Sequence, residues 1–110
     1  MIDWNRVSEL RDEIGQEDFS EVAELFLDET DAEIAALRDP AQQGGLAARL
    51  HFLKGSALNL GFSDFAGLCQ TAEVAAAHGA TADIDLADIL ACYDASKTAF
   101  LADLSRRSDT

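Results

Sequence analysis

Residues 46–61, LAARLHFLKGSALNLG, decide how this chain folds. At about 100° per residue, the apolar side chains of this stretch fall on one stripe of an α-helix. The stripe consists of Leu46, Leu50, Leu53, Ala57 and Leu60. His51 points away from it, with Lys54 and Gly55 beside it at i+3 and i+4. The stretch therefore predicts an amphipathic helix, ended by Gly61, whose outer face groups an imidazole, an ammonium and a residue without a side chain.

Helical periodicity extends to the N-terminal side of this stretch, where good helix formers dominate. A first, short helix is predicted between the capping residue Asp3 and Gly15, with Trp4 as its main hydrophobic anchor. A longer helix is predicted from about Asp18 to Arg38, with Pro40 ending it. Their other apolar positions are Val7, Leu10 and Ile14, then Phe19, Val22, Phe26, Ile34 and Leu37. The second helix thus combines an apolar stripe with a strongly acidic outer face.

Two more helices are predicted after residue 61 from the same spacing of apolar residues. The fourth begins near Ser63 or Asp64 and stops at Gly79, and the fifth is capped by Asp83 or Asp85. The inward residues are Phe65, Leu68, Cys69, Ala72 and Ala76 in the fourth helix, and Leu86, Leu90, Tyr93, Lys97, Phe100 and Leu104 in the fifth.

Four helices of similar length, each with one apolar stripe and joined by short connections, predict an all-α fold. The expected architecture is an antiparallel four-helix bundle with a short N-terminal capping helix. A compact all-α array of another topology is the alternative. A chain of 110 residues is long enough for one hydrophobic core, so residues 1–110 are expected to form a single domain.

The formal net charge of −13 excludes several classes of partner. Nucleic acids and anionic membranes both require basic surfaces, so neither is expected. The sequence has no basic leader and no apolar run long enough to span a membrane, which indicates a cytoplasmic protein. Acidic outer faces repel one another, so the chain is expected to be a monomer.

The other reactive side chains favour structural roles. Cys69 and Cys92 occupy apolar helix positions without a CxxC motif, which is typical of reduced, buried thiols. His78 falls at the end of the fourth helix, where it is expected to interact with the helix dipole. The acidic residues are expected on a solvated face, and without a Glu-x-x-His pair no metal site is predicted. Examples of that face are Glu21, Glu24, Asp28 and Asp31.

The group around His51 suits nucleophilic chemistry on a phosphoryl group. A neutral imidazole is a competent nucleophile near pH 7, because its unperturbed pKa is about 6.5. Lys54, one turn away, can neutralise an incoming phosphoryl group. Gly55 leaves room for a second protein to approach, at a helix-propensity cost of about 1 kcal/mol.

Small and apolar residues around His51 have the composition of a docking patch. Phe52 lies on the flank of the helix, where both core packing and contact with a partner remain open. Ser56 and Asn59 flank the same face and can form hydrogen bonds. The predicted docking residues are Ala47, Ala48, Phe52, Ser56, Leu58 and Asn59.

With these residues in place, the sequence resembles the histidine-containing phosphotransfer (HPt) domain family. The resemblance rests on Leu50-His51-Phe52-Leu53-Lys54-Gly55-Ser56-Ala57 and on Asn59-Leu60-Gly61. The segments 19–27 and 68–73 also fit, so the similarity spans most of the chain. Leu58 departs from the pattern, because it places an apolar side chain on the face of His51.

The resemblance implies a bundle that accepts a phosphoryl group on His51 from an aspartyl phosphate of a receiver domain. It implies that Lys54 supplies the neighbouring positive charge, that Gly55 provides clearance and that Nε2 is the phosphorylated nitrogen. The Mg²⁺ of this reaction belongs to the receiver, so no cofactor or metal is expected on this chain.

Three functions are compatible with such a domain. The first is a phosphorelay intermediate that passes phosphate between response-regulator receivers, one of which can belong to a hybrid histidine kinase. The second is a non-catalytic module that binds and sequesters a receiver, which the intact cluster of His51, Lys54 and Gly55 disfavours. The third, a C-terminal part of a hybrid kinase, is disfavoured by Met1 and by the helix start at Asp3.

Overall fold

The computed structural model describes residues 2–39, 45–80 and 84–108. Within these ranges the chain forms five α-helices and no strand, which confirms the all-α prediction. The helices are α1 (Trp4–Ile14), α2 (Gln16–Arg38), α3 (Leu46–Leu60), α4 (Ser63–Ala77) and α5 (Leu86–Ser108). Among these helices, none is both long and apolar enough to cross a membrane.

The four longer helices pack in a closed ring. Each of α2, α3, α4 and α5 contacts the next, α5 returns to α2, and α1 lies against α2 and α3. The helices α2 and α5 run in opposite directions, because Arg38 pairs with Asp94 while the earlier Asp31 pairs with the later Lys97. This arrangement is consistent with the predicted four-helix bundle and its additional N-terminal helix.

Local capping interactions set the helix ends. The Asp3 carboxylate accepts hydrogen bonds from the backbone N–H groups of Asn5 and Arg6, as an N-cap residue does. Asp85 caps α5 in the same way, with its Oδ1 3.0 Å from the nitrogen of Asp88. Two residues predicted at helix ends, Pro40 and Asp83, lie outside the described residues. The second helix begins at Gln16, directly after Gly15, two residues earlier than predicted.

Whether a residue is buried depends on the face of the helix on which it lies and not on the size of its side chain. On α2, the small side chains of Ala23 and Thr30 are buried, whereas Val22 and Phe26 are only half-buried. The predicted series contained Val22 and Phe26 and left out the buried Leu27, so the buried positions of α2 differ in part from the prediction. On α3, Leu50, Leu53, Ala57 and Leu60 are buried as predicted, and Leu46 lies at the edge.

Trp4 is not the main anchor of α1, which corrects the sequence prediction. Its side chain is 40% exposed, whereas Val7 and Leu10 are buried. The start of α1 approaches the end of α3 backbone to backbone, with Asp3 N–H donating to Gly61 O at 2.7 Å. The side chain that packs at this contact is that of Val7, whose Cγ2 lies 3.2 Å from where a Cβ of residue 61 would be.

The structure also differs from the sequence prediction at the interface between α2 and α5. Asp31, expected on the solvated face, accepts a hydrogen bond from the Tyr93 hydroxyl at 2.5 Å and pairs with Lys97 at 2.6 Å. Burial, reinforced by the Asp31 carboxylate, raises the pKa of the Tyr93 hydroxyl, so it stays protonated and donates. Lys97, which was predicted on the inward stripe of α5, therefore forms an ion pair with Asp31 of α2.

Gly61 provides a test of the contact between α1 and the α3–α4 turn. Its φ is +83°, and an added Cβ would lie 2.8 Å from the Asp3 carbonyl oxygen. We expect Gly61→Ala to lower the free energy of unfolding by at least about 1 kcal/mol, measured by denaturant titration. Gly67→Ala in α4 is the matched control, because a Cβ there meets nothing within 4 Å among the described residues. It should raise stability by up to about 1 kcal/mol. Equal effects of the two substitutions would contradict this account of the turn.

Candidate functional site

His51 lies on the outer face of α3, opposite the buried stripe. Its neighbours Leu50 and Leu53 are completely buried, whereas the His51 side chain is 69% exposed. The core thus fixes the phase of the helix and the helix carries the imidazole into solvent. This exposure makes the ring accessible to a second protein.

The imidazole is held from one side by a carboxylate of the neighbouring helix. His51 Nδ1 lies 2.7 Å from Glu73 Oε1 on α4. Because an ionised carboxylate can only accept a hydrogen bond, Nδ1 carries the proton in this contact. In the neutral imidazole, the free lone pair is then on Nε2, the nitrogen that Glu73 does not contact. This arrangement can therefore offer Nε2 as a nucleophile.

Lys54 forms an ion pair with the same Glu73 carboxylate. Its Nζ is 3.0 Å from Glu73 Oε2 and donates to Gln70 Oε1 at 2.8 Å. The Lys54 ammonium, with a smaller contribution from the His51 hydrogen bond, holds the pKa of the Glu73 carboxyl below its usual value. Glu73 therefore stays ionised and can bind both cationic and N–H donors at neutral pH.

Two members of this network, Glu73 and Gln70, were missing from the sequence-based site. His51 and Glu73 lie at equal distances on either side of Phe62, and so do Lys54 and Gln70. Such pairing shows that α3 and α4 run in opposite directions around the turn after Gly61. An antiparallel hairpin folded at that turn would have suggested both contacts from the sequence.

Gly55 lies in open space one turn beyond His51. A Cβ added there would meet no described atom within 4 Å, and the residue is exposed within the regular helix α3. Neither close packing nor a left-handed backbone conformation therefore explains this glycine. The free volume lies outside the domain, where a partner can occupy it.

The predicted docking residues surround His51 but differ in accessibility. Phe52 is 42% and Leu58 56% exposed, large values for apolar side chains. Ala48 and Asn59 are exposed, whereas Ala47 and Ser56 are half-buried. Val74 on α4 is a further exposed apolar residue, 46% accessible and next to Glu73, which the sequence reading did not include. The outer face of α3 and α4 thus presents apolar surface around the imidazole.

The second histidine has a different environment. His78 is the C-cap residue of α4, and its Nδ1 lies 2.8 Å from the carbonyl oxygen of Val74. The ring therefore hydrogen-bonds a backbone carbonyl group in the last turn of α4, in agreement with its predicted position at the end of that helix. Within the described ranges, no three His, Cys, Asp or Glu side chains form a group that could hold a metal ion.

A comparison with protein families identifies the class of this domain. The model of the family described as Hpt domain matches residues 21–104, which include α3, α4 and most of α2 and α5. The chain therefore belongs to the Hpt domain family, as the sequence resemblance predicted. Comparisons with curated proteins and with solved structures found no match.

Membership in this family defines the biological setting. Hpt domains take part in the phosphorelays of two-component signal transduction and interact with the receiver domains of response regulators. The match begins after residue 20, so α1 lies outside the part of the chain that the family model covers.

Proposed function

We propose that this chain is a phosphorelay intermediate that accepts a phosphoryl group on His51 from a receiver aspartate and passes it to another receiver. The observation that carries the proposal is the exposed imidazole whose Nδ1 is bound by Glu73, leaving Nε2 as the nucleophile. The open surface at Gly55 supports it, because the phosphoryl donor is itself a protein domain.

The proposed transfer needs little from this chain beyond position and charge. The lone pair of His51 Nε2 attacks the phosphorus of the aspartyl phosphate, a new P–N bond forms and the P–O bond to the aspartate breaks. The receiver aspartate leaves as a carboxylate. The proton remains on Nδ1, and the Glu73 carboxylate balances the positive charge that develops on the ring. The same steps in reverse transfer the phosphoryl group to a second receiver.

Lys54 has two roles in this proposal. In the resting site its ammonium keeps Glu73 ionised and fixed, through contacts with both Glu73 and Gln70. It also lies within one helical turn of His51, where its charge favours the dianionic phosphoryl group. The catalytic Mg²⁺ is assigned to the receiver, and no cofactor is assigned to this chain.

His51→Gln tests the assignment of the phosphoryl acceptor. We expect the variant to take up no labelled phosphate from a phosphorylated receiver, because glutamine offers no nucleophilic nitrogen. Its free energy of unfolding should stay within about 0.5 kcal/mol of wild type, since the side chain is solvent-exposed. The matched control, His78→Gln, should accept label normally. In wild type the label should be lost in acid and persist in alkali, as expected of a phosphoramidate.

Two outcomes of this experiment would contradict the proposal. Label on the His51→Gln variant would place the acceptor elsewhere in the chain. A wild-type chain that binds receivers without ever accepting phosphate would indicate the alternative function, a sequestering module.

Gly55→Leu tests whether the open surface is used for docking. The added side chain should slow phosphoryl transfer by about tenfold or more, because it holds the two reacting centres apart. Its melting temperature should be equal to or above that of wild type, since leucine is a better helix former than glycine. Ala95→Leu places similar bulk on an exposed position of α5, diagonal to α3 in the ring, and should transfer at the wild-type rate. A Gly55→Leu protein with the wild-type initial rate would show that the partner does not approach over this turn.

The oligomeric state and location follow from the same proposal. We propose a monomer in the cytoplasm, because the net charge of −13 opposes self-association and because phosphorylated receivers are the proposed partners. Light scattering at low micromolar concentration should give the mass of one chain, 11.8 kDa. A stable dimer at that concentration would contradict the monomer, and recovery of the protein outside the cytoplasmic fraction would contradict the location.

A further inference from the structure

A cleft of about 280 Å³ lies between α1 and the end of α3. Asn5, Arg6 and Glu9 line it from α1, and Ala57 and Leu58 line it from α3. Leu58 is 56% exposed, so its apolar side chain stays accessible although it borders a cavity of the fold. The cleft therefore offers an apolar wall and a polar wall to an approaching molecule.

This cleft continues the face that carries His51. Leu58 follows His51 by seven residues, or two helical turns, which places the two side chains roughly 10.5 Å apart along the same side of α3. Gly55 lies between them and contributes no side chain. A protein docked over His51 can therefore extend along α3 to Leu58 without obstruction at residue 55.

The α1 wall is preformed. Val7 and Leu10 bury α1 against the domain, and the Asp3 N–H bond to Gly61 O ties its start to the α3–α4 turn. A partner that fills the cleft therefore does not have to order this helix first. Because α1 precedes the matched residues 21–104, this wall lies outside the part of the chain that the family model covers.

The chemistry of the two walls defines the occupant. The Arg6 guanidinium lies 3.4 Å from Glu9 and 3.7 Å from Glu13, so two carboxylates share one cation. This leaves negative charge on the α1 wall, opposite the exposed apolar side chain of Leu58. A fitting segment therefore presents an apolar side chain to Leu58 and a neighbouring Lys or Arg to Glu9.

We propose that this cleft selects among receiver domains, by binding an apolar side chain of a receiver helix that also carries a neighbouring Lys or Arg. The proposal rests on the phosphorelay function proposed above, and it assigns to α1 and Leu58 the choice of partner. The transfer chemistry remains with His51.

Binding measurements on a His51→Gln background isolate this surface from phosphoryl transfer. The probe is the receiver domain that phosphorylates wild-type His51 fastest, and the affinity is measured by calorimetry. Leu58→Ala should weaken binding by about tenfold or more, as expected when a buried leucine is truncated. Leu25→Ala is the matched control, because Leu25 is 57% exposed but lies on α2, and it should change the affinity less than twofold.

A charge-reversal pair tests the polar wall. Glu9→Lys should weaken binding severalfold and reduce its salt dependence, because it places a cation beside the receiver's basic residue. Asp12→Lys makes the same change in net charge at an exposed position of α1 that does not line the cleft, so it should have the smaller effect. Equal effects would show that net charge alone steers the partner, and would overturn the assigned contact.

The remaining outcomes separate this proposal from the proposed function. If wild type accepts phosphate on His51 and Leu58→Ala binds the receiver as tightly as Leu25→Ala does, the cleft proposal is wrong and the phosphorelay function stands. If no receiver binds or phosphorylates the wild-type chain, both are wrong. If Leu58→Ala and Glu9→Lys weaken binding to the fastest receiver more than to slower ones, the cleft is the selecting surface.

Discussion

The register between α3 and α4 is the constraint on which the site depends. The turn after Gly61 sets it: Phe62 N–H donates to Ala57 O at 2.8 Å, and the Phe62 ring is buried edge-on against Phe100 at 5.6 Å. Because each residue turns the helix by about 100°, a one-residue slip would carry Glu73 away from His51. The buried aromatic contact therefore fixes the geometry of an imidazole on the surface.

Stability and function occupy opposite faces of the same helix. The inward stripe of α3 contributes completely buried leucines, each worth about 1.5–3 kcal/mol on burial, whereas His51 and Gly55 face solvent. In the network of His51, Glu73 and Lys54, the imidazole is exposed and its two partners are half-buried, and their contacts give the imidazole orientation and charge. Substitutions on the outer face can therefore alter transfer without unfolding the domain, which makes the proposed function accessible to mutation.

The sequence predicted the features that depend on the periodicity of a single helix, and it missed the contacts that depend on how two helices pack together. The exposure of His51 and the buried stripe beneath it follow from the periodicity of α3 alone. The contact with Glu73 requires the register of the hairpin, and the pairing of Asp31 with Lys97 requires knowing which faces of α2 and α5 meet. Trp4 was misplaced for the same reason, because its burial depends on which face of α1 packs against α2 and α3.

The central claim is that His51 Nε2 carries the phosphoryl group while Nδ1 keeps its proton and donates it in a hydrogen bond to Glu73. An NMR spectrum of the phosphorylated protein, with ¹⁵N-labelled histidine, tests it most directly. The account predicts one-bond coupling between phosphorus and Nε2 of His51, with Nδ1 still protonated and near the Glu73 carboxylate. Phosphorus coupled to Nδ1 of His51, or to a nitrogen of His78, would contradict the account.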